Sequence, residues 1–99
     1  MKLINEKIIE DLRQSLGIKF LPEENRSEIM TNILELISEK AGMKIIETFN
    51  DKEHEEFNQI PKENLEQMED FLIAKNPKAQ EIFQQEAEAV KEELLGSEA

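Results

Sequence analysis

Apolar residues recur along the chain at spacings of three and four, which is the pattern of amphipathic helices, and capping residues, glycines and prolines divide it into segments. The first helix is predicted from about Asn5, a good N-cap, to Leu16, and Gly17 suits the position just past its end. The apolar side chains of the connector that follows are expected to anchor it beneath the fold: Ile18, Phe20 and Leu21.

A second, much longer helix is predicted over residues 22–49, with Pro22 in its first turn. Its apolar positions cover a broad arc, which is typical of a central helix packed on more than one side. We expect Leu34 and Ile37 to be among its most buried residues. The apolar stripe changes direction after Gly42. Because glycine inside a helix costs about 0.5–1 kcal/mol, this change predicts a kink, a break or a close helix–helix approach there.

Three further helices are predicted in the second half of the chain. Asn50 begins the third, with Glu53 at the capping-box position. The fourth begins near Glu63, and the fifth covers about residues 77–95. No segment has a convincing strand pattern. The sequence therefore predicts one all-α domain over residues 1–99, a compact bundle of about five helices around a long central second helix.

Composition supports this fold and excludes several kinds of chemistry. Tyrosine and tryptophan are absent and valine is nearly so, which disfavours strands. Cysteine is also absent, so disulfides, thiolate catalysis and cysteine-based metal sites are excluded. No apolar run approaches the roughly 20 residues of a membrane span, and the first residues do not have the pattern of a signal peptide. We therefore expect a cytoplasmic protein.

The formal net charge of -11 is unevenly distributed. Residues 1–50 contain 7 basic and 9 acidic side chains, whereas residues 51–99 contain 5 basic and 14 acidic ones. A surface this acidic repels phosphate backbones and anionic lipids, so we expect no direct binding to nucleic acid or membranes. The acidic second half is either a solvated surface or a docking face for a basic partner.

His54, the single histidine, stands among acidic residues, which is a composition that metal sites use. A metalloprotease helix needs a second histidine four residues later, where this chain has Asn58. A calcium loop starting at Asp51 needs glycine where Glu56 stands. The four serines lie in no nucleophile motif, and no glycine-rich phosphate loop is present. We therefore predict that the protein is not an enzyme and has no catalytic residue, metal ligand or cofactor.

Several short stretches follow one another in a characteristic order along nearly the whole chain: Leu16-Gly17-Ile18, Leu21-Pro22-Glu23-Glu24, Glu56-Phe57, Phe71-Leu72 and Asn76-Pro77 before a Glu-rich end. In this order the chain resembles a family of small uncharacterised all-helical proteins. That family, a domain of unknown function, occurs mainly in genomes of uncultivated candidate-phylum bacteria. The resemblance implies a helical fold and no particular activity, ligand or cofactor.

The apolar positions favour a non-enzymatic interaction module that binds a protein partner or forms a homodimer. The stripe that turns after Gly42 and the stripe of the last helix leave apolar surface beyond one small core, and the candidate interface residues are Ile45, Ile46, Phe49, Phe83, Val90 and Leu94. Packing of the two stripes against each other within one chain is the intramolecular alternative.

A different hypothesis is that the acidic half acts as a decoy or regulator of a basic nucleic-acid-binding protein. The salt dependence of binding distinguishes the two hypotheses. Binding through an apolar interface tolerates added salt, whereas binding through an acidic docking face weakens as salt rises.

Overall fold

The computed structural model describes residues 3–96, which form five α-helices, one short 3₁₀ helix and no strand. In chain order the elements are α1 (Glu6–Ser15), the 3₁₀ helix (Ile18–Phe20), α2 (Glu23–Ile46), α3 (Asp51–Asn58), α4 (Leu65–Lys75) and α5 (Ala79–Gly96). The all-α prediction and the long second helix are confirmed. Residues 1, 2 and 97–99 of the predicted domain lie outside the described part of the chain.

The predicted capping residues begin the helices. The Asn5 side chain accepts a hydrogen bond from the Ile8 amide at 3.0 Å. Asn50 and Glu53 form the complete capping box: the Asn50 side chain accepts from the Glu53 amide at 2.8 Å, and the Glu53 carboxylate accepts from the Asn50 amide at 3.0 Å. Asn64 caps α4 in the same way as Asn5 caps α1. Each cap satisfies amides that the first helical turn leaves without intrahelical partners.

The connector after α1 is only partly buried. Gly17 has a φ of 67°, a left-handed conformation that lets the chain leave α1 and enter the 3₁₀ helix. Ile18 is buried as expected, but Phe20 is 82% exposed and Leu21 is also exposed, so the expectation was wrong for these two. Successive residues of a 3₁₀ helix point about 120° apart. Phe20 therefore points away from the core when Ile18 points into it.

The core forms where α2 packs against α5 and where the N-terminal segment and α1 close over them. Its members from the two long helices are Ile37, Ala41 and Ile45 of α2 and Phe83, Ala87 and Val90 of α5. Ile37 is completely buried, as predicted. Leu34 is only half-buried, contrary to expectation, because it borders an open groove between α1 and α2.

The helix is continuous through Gly42, so the break, one of the three predicted alternatives, is wrong, and the kink stays a prediction. A Cβ atom built on Gly42 would meet no other atom within 4 Å, so the predicted close approach is wrong as well. The change in the apolar stripe coincides with the end of α2, which comes at Ile46 rather than at Phe49. The Phe49 amide closes the last turn by bonding to the Ile46 carbonyl at 3.0 Å. Phe49 therefore does not follow the helical periodicity.

Candidate functional site

The six candidate interface residues do not form one surface. Four of them are core residues of the single chain: Ile45, Phe49, Phe83 and Val90. Ile46 is half-buried, and Leu94 is exposed. Burial within one chain accounts for all four, because α2 and α5 pack against each other and Phe49 packs against Phe57 of α3 and Phe71 of α4. This corrects the expectation that they face a partner.

Two ion pairs fix how α5 lies on α2. Lys44 of α2 pairs with Glu86 of α5, and Lys40 pairs with Glu93 at an Nζ–Oε2 distance of 3.3 Å. The positions run in opposite directions along the two helices, so the helices are antiparallel. Glu86 is buried, whereas the Lys40–Glu93 pair is exposed. The first pair therefore matters more for stability, because an exposed pair contributes little.

The single histidine packs beside an aromatic cluster. Phe49 makes edge-on contacts with Phe57 and Phe71, with ring centroids 6.1 and 5.7 Å apart. The His54 ring stands edge-on to Phe49 at 5.8 Å and is half-buried. Within residues 3–96, no three histidine, cysteine, aspartate or glutamate side chains are grouped so that they could hold a metal ion. This arrangement gives His54 a packing role at the edge of the core.

A second charged cluster joins the first and last helices. Lys91 of α5 donates to Asp11 of α1 at 2.9 Å and also pairs with Glu88 at 3.0 Å. The hydrogen bond from Lys91 lowers the pKa of Asp11 from its usual 3.8. The hydrogen bonds to Asp11 and Glu88 raise the pKa of Lys91 above its usual 10.5. Both pKa shifts favour the charged forms, so the ion pair stabilises the contact between α1 and α5.

One flank of α2 carries apolar side chains that the fold does not cover. Ile29, Leu36 and Met43 follow each other at seven-residue spacing, so they drift by only about 20° per step around the helix. Ile29 is half-buried, Leu36 is 37% exposed and Met43 is 64% exposed. We call these three residues the apolar row. Sequence reasoning missed the row because it treated the whole broad apolar arc of the second helix as packed inside the fold, although the spacing was visible.

The open groove between α1 and the first half of α2 has a volume of about 520 Å³. Three cationic side chains line the groove: Arg13, Lys19 and Arg26. Its apolar lining comes from Ile18, Met30 and Leu34. We call this the cationic groove. The Nε atom of Arg26 is buried and has no hydrogen-bond partner in the described structure, which is uncommon for a buried polar atom. The near balance of charge in residues 1–50 was the sequence signal for this feature.

A second groove, of about 530 Å³, lies between α3 and α4. Glu56 and Asp70 line it together with Phe71 and Ile60. The two grooves therefore have opposite charge, and they lie in the two differently charged halves of the chain.

Comparison with known proteins places the chain in a family. No significant match was found to any curated protein or to any solved structure. Among residues 3–96, no helix combines the length and apolar character needed to cross a bilayer. The profile of the family described as "Protein of unknown function (DUF5663)" matches residues 12–94, from the middle of α1 almost to the end of α5. The match spans most of the chain and confirms the resemblance to a family of unknown function. This chain therefore belongs to the DUF5663 family.

Proposed function

We propose that the protein is a non-enzymatic helical module that binds a second copy of itself through the apolar row of α2. The observation that carries the proposal is the exposure of Leu36 and Met43 beside an otherwise complete core. A single exposed leucine is ordinary. Apolar residues repeated every seven positions on one helix flank occupy one of the two apolar positions of the heptad pattern by which helices pack together. We further propose that this contact forms in the cytoplasm of a bacterium, as the sequence led us to expect.

The apolar row suits a twofold contact because it is symmetric about Leu36. Ile29 lies seven residues before Leu36 and Met43 lies seven residues after it. In an antiparallel pair of α2 helices related by a twofold axis, Leu36 meets its own copy and Ile29 meets Met43 of the other chain. One surface therefore complements itself.

Few charged side chains stand directly beside the row. On one edge, the exposed side chains of Asn25 and Asn32 are uncharged, and the exposed acid Glu39 follows them at the same seven-residue spacing. On the other edge, Lys40 is already paired with Glu93 of its own chain. The repulsion between the two copies of Glu39 is therefore the local electrostatic cost of the contact. The net charge of -11 still opposes association over longer distances, so added salt should strengthen the dimer by screening it.

Sedimentation equilibrium tests this proposal. The wild-type chain should show reversible association from its 11.5 kDa monomer to a dimer, more strongly at high salt than at low salt. Leu36→Glu should abolish the dimer by placing a carboxylate opposite its own copy. Leu65→Glu is the matched control, because Leu65 is 66% exposed on α4 and the variant adds the same charge away from the row.

Three results would contradict self-association through the apolar row. They are a wild-type monomer at every protein and salt concentration, an unchanged dimer in Leu36→Glu, or equal loss of the dimer in both variants.

A second candidate function is docking of the acidic half on a basic nucleic-acid-binding protein, acting as its decoy or regulator. The groove between α3 and α4 favours it, because Glu56 and Asp70 line this groove together with Phe71. An arginine side chain recognises this combination of carboxylates and an aromatic face. A labelled hexa-arginine peptide should bind, lose affinity as salt rises, and bind more weakly to Glu56→Gln than to the control Glu92→Gln. If the peptide binds Glu56→Gln and Glu92→Gln equally, its binding reflects only non-specific attraction to the acidic surface and not recognition by this groove.

A further inference from the structure

The cationic groove has the dimensions of a small-molecule site. Ligand pockets typically enclose roughly 300–1,000 Å³, and this one encloses about 520 Å³. Its α2 wall extends from Glu23 to Leu34, a distance of about 16 Å at 1.5 Å per residue. The groove is therefore longer than a simple inorganic ion requires and suits an elongated molecule.

Hydrogen-bond donors without partners line this groove. The side chain of Arg26 has neither an ion pair nor a hydrogen bond to any described residue, and its Nε atom is buried. Lys19 has no carboxylate within ion-pair distance in the described chain, and its ammonium group instead stands 5.3 Å from the ring centroid of Phe20. The hydroxyl groups of Ser27 and Thr31 also line the groove and donate to no described residue. Such a set of donors calls for an acceptor with several oxygen atoms.

The acidic residues of the groove do not neutralise these donors. Glu10 is already occupied, since it pairs with Arg13 at 3.6 Å and accepts from Gln14 at 3.3 Å. Glu23, the other acid, makes no ion pair with Arg26. The groove is lined by three cationic and two acidic side chains, which leaves an excess of one positive charge. The local potential in the groove therefore favours an anion.

The lining of the groove adds an apolar requirement. Ile18 and Met30 are buried beneath it, and Leu34 extends the apolar surface along α2. The neighbouring ring of Phe20 is 82% exposed, so a ligand lying over it would gain from covering it. We propose that the cationic groove binds an amphiphilic small-molecule anion whose carboxylate or phosphate head meets Arg26 and Lys19 and whose apolar body lies along Leu34, above the buried side chains of Ile18 and Met30.

This site is independent of the proposed dimer contact. At 100° per residue, Arg26 and Met30 point to a different side of α2 from Leu36 and Met43. Failure of the dimer therefore leaves the ligand proposal standing, and the reverse is also true.

Methyl NMR titration of the full chain tests the proposal. Octanoate and octyl phosphate are the probes, and they distinguish a carboxylate head from a phosphate head. At least one should shift the methyl signals of Ile18 and Met30 saturably. Octan-1-ol, which lacks the charge, and inorganic phosphate, which lacks the apolar body, should each bind about tenfold more weakly or worse.

Variants identify the groove as the binding surface. Arg26→Gln should weaken binding of the better probe about tenfold. Lys19→Gln should weaken it as well, and it provides a second measure at an exposed side chain should Arg26→Gln disturb the fold. Lys52→Gln is the matched control, since it makes the same charge change on an exposed residue of α3. The proposal is overturned if neither probe binds saturably, if octan-1-ol binds as well as the probes, or if both groove variants bind like Lys52→Gln.

Discussion

The carboxylate of Glu69 accepts a hydrogen bond from the backbone amide of Leu3 at 2.7 Å, although 66 positions separate the two residues. Both residues are buried. Gln80 of α5 donates to the carbonyl of Leu3 at 2.9 Å, so the backbone of Leu3 is held on both sides. These contacts explain how the segment before α1 places the side chains of Leu3 and Ile4 in the core.

Glu69→Ala should destabilise the protein by about 1.5–3 kcal/mol, because it leaves a buried amide without its charged acceptor. Urea denaturation followed by circular dichroism measures the change. Glu92→Ala is the matched control on an exposed position of α5 and should stay within about 0.5 kcal/mol of wild type. Equal stabilities of the two variants would show that the Leu3–Glu69 hydrogen bond does not hold the N-terminal segment in place.

Lys44→Ala should destabilise the protein by about 1–3 kcal/mol, because it leaves the buried carboxylate of Glu86 without its partner. Lys40→Ala breaks the exposed pair with Glu93 and should cost less than about 0.5 kcal/mol. The double variant Lys44→Ala/Glu86→Gln should recover part of the loss, since it also removes the buried charge. Denaturation midpoints of the three variants test the prediction, and equal effects of Lys44→Ala and Lys40→Ala would contradict it.

Gly42→Ala should stabilise the protein by about 0.5–1 kcal/mol, because the new methyl group meets open space and the unfolded chain loses conformational freedom. Gly17→Ala should act in the opposite direction and cost about 1–2 kcal/mol, because Gly17 holds a φ of 67°. Thermal unfolding should show the two melting temperatures on opposite sides of wild type. A destabilised Gly42→Ala would mean that α2 does need a glycine at that position.

The Asp11–Lys91 pair should make stability depend on pH at both extremes. Since Lys91 lowers the pKa of Asp11 from 3.8, this stabilisation is present above pH 3.8 and is lost as the pH falls further. Since hydrogen bonds raise the pKa of Lys91 above 10.5, its stabilisation is present below pH 10.5 and is lost as the pH rises further. Asp11→Asn should therefore be less stable than wild type at neutral pH, and the difference should shrink in acid.

Urea midpoints of wild type and Asp11→Asn across this pH range provide the measurement. Glu92→Gln removes a carboxylate elsewhere on α5, and its difference in stability from wild type should not shrink in acid. A constant difference between wild type and Asp11→Asn down to strongly acidic pH would contradict the linkage.

Local structure was predictable because it depends on residues close together in the chain. The Asn5 cap and the capping box of Asn50 and Glu53 each involve groups three residues apart, so their sequence pattern determines them. The helical spacing of apolar residues and the scarcity of strand formers determined the fold class in the same way.

The tertiary structure decided which apolar and charged residues became surface. The sequence shows that α2 is apolar over a broad arc, but only the packing of α5 shows that Ile45 is covered and that Leu36 and Met43 are not. The same holds for Glu69, whose partner lies 66 positions away, and for the cationic groove, which exists only because α1 lies beside α2. A helix buries the part of its apolar surface that its neighbours reach, and the positions of those neighbours follow from the packing of the whole chain rather than from local spacing.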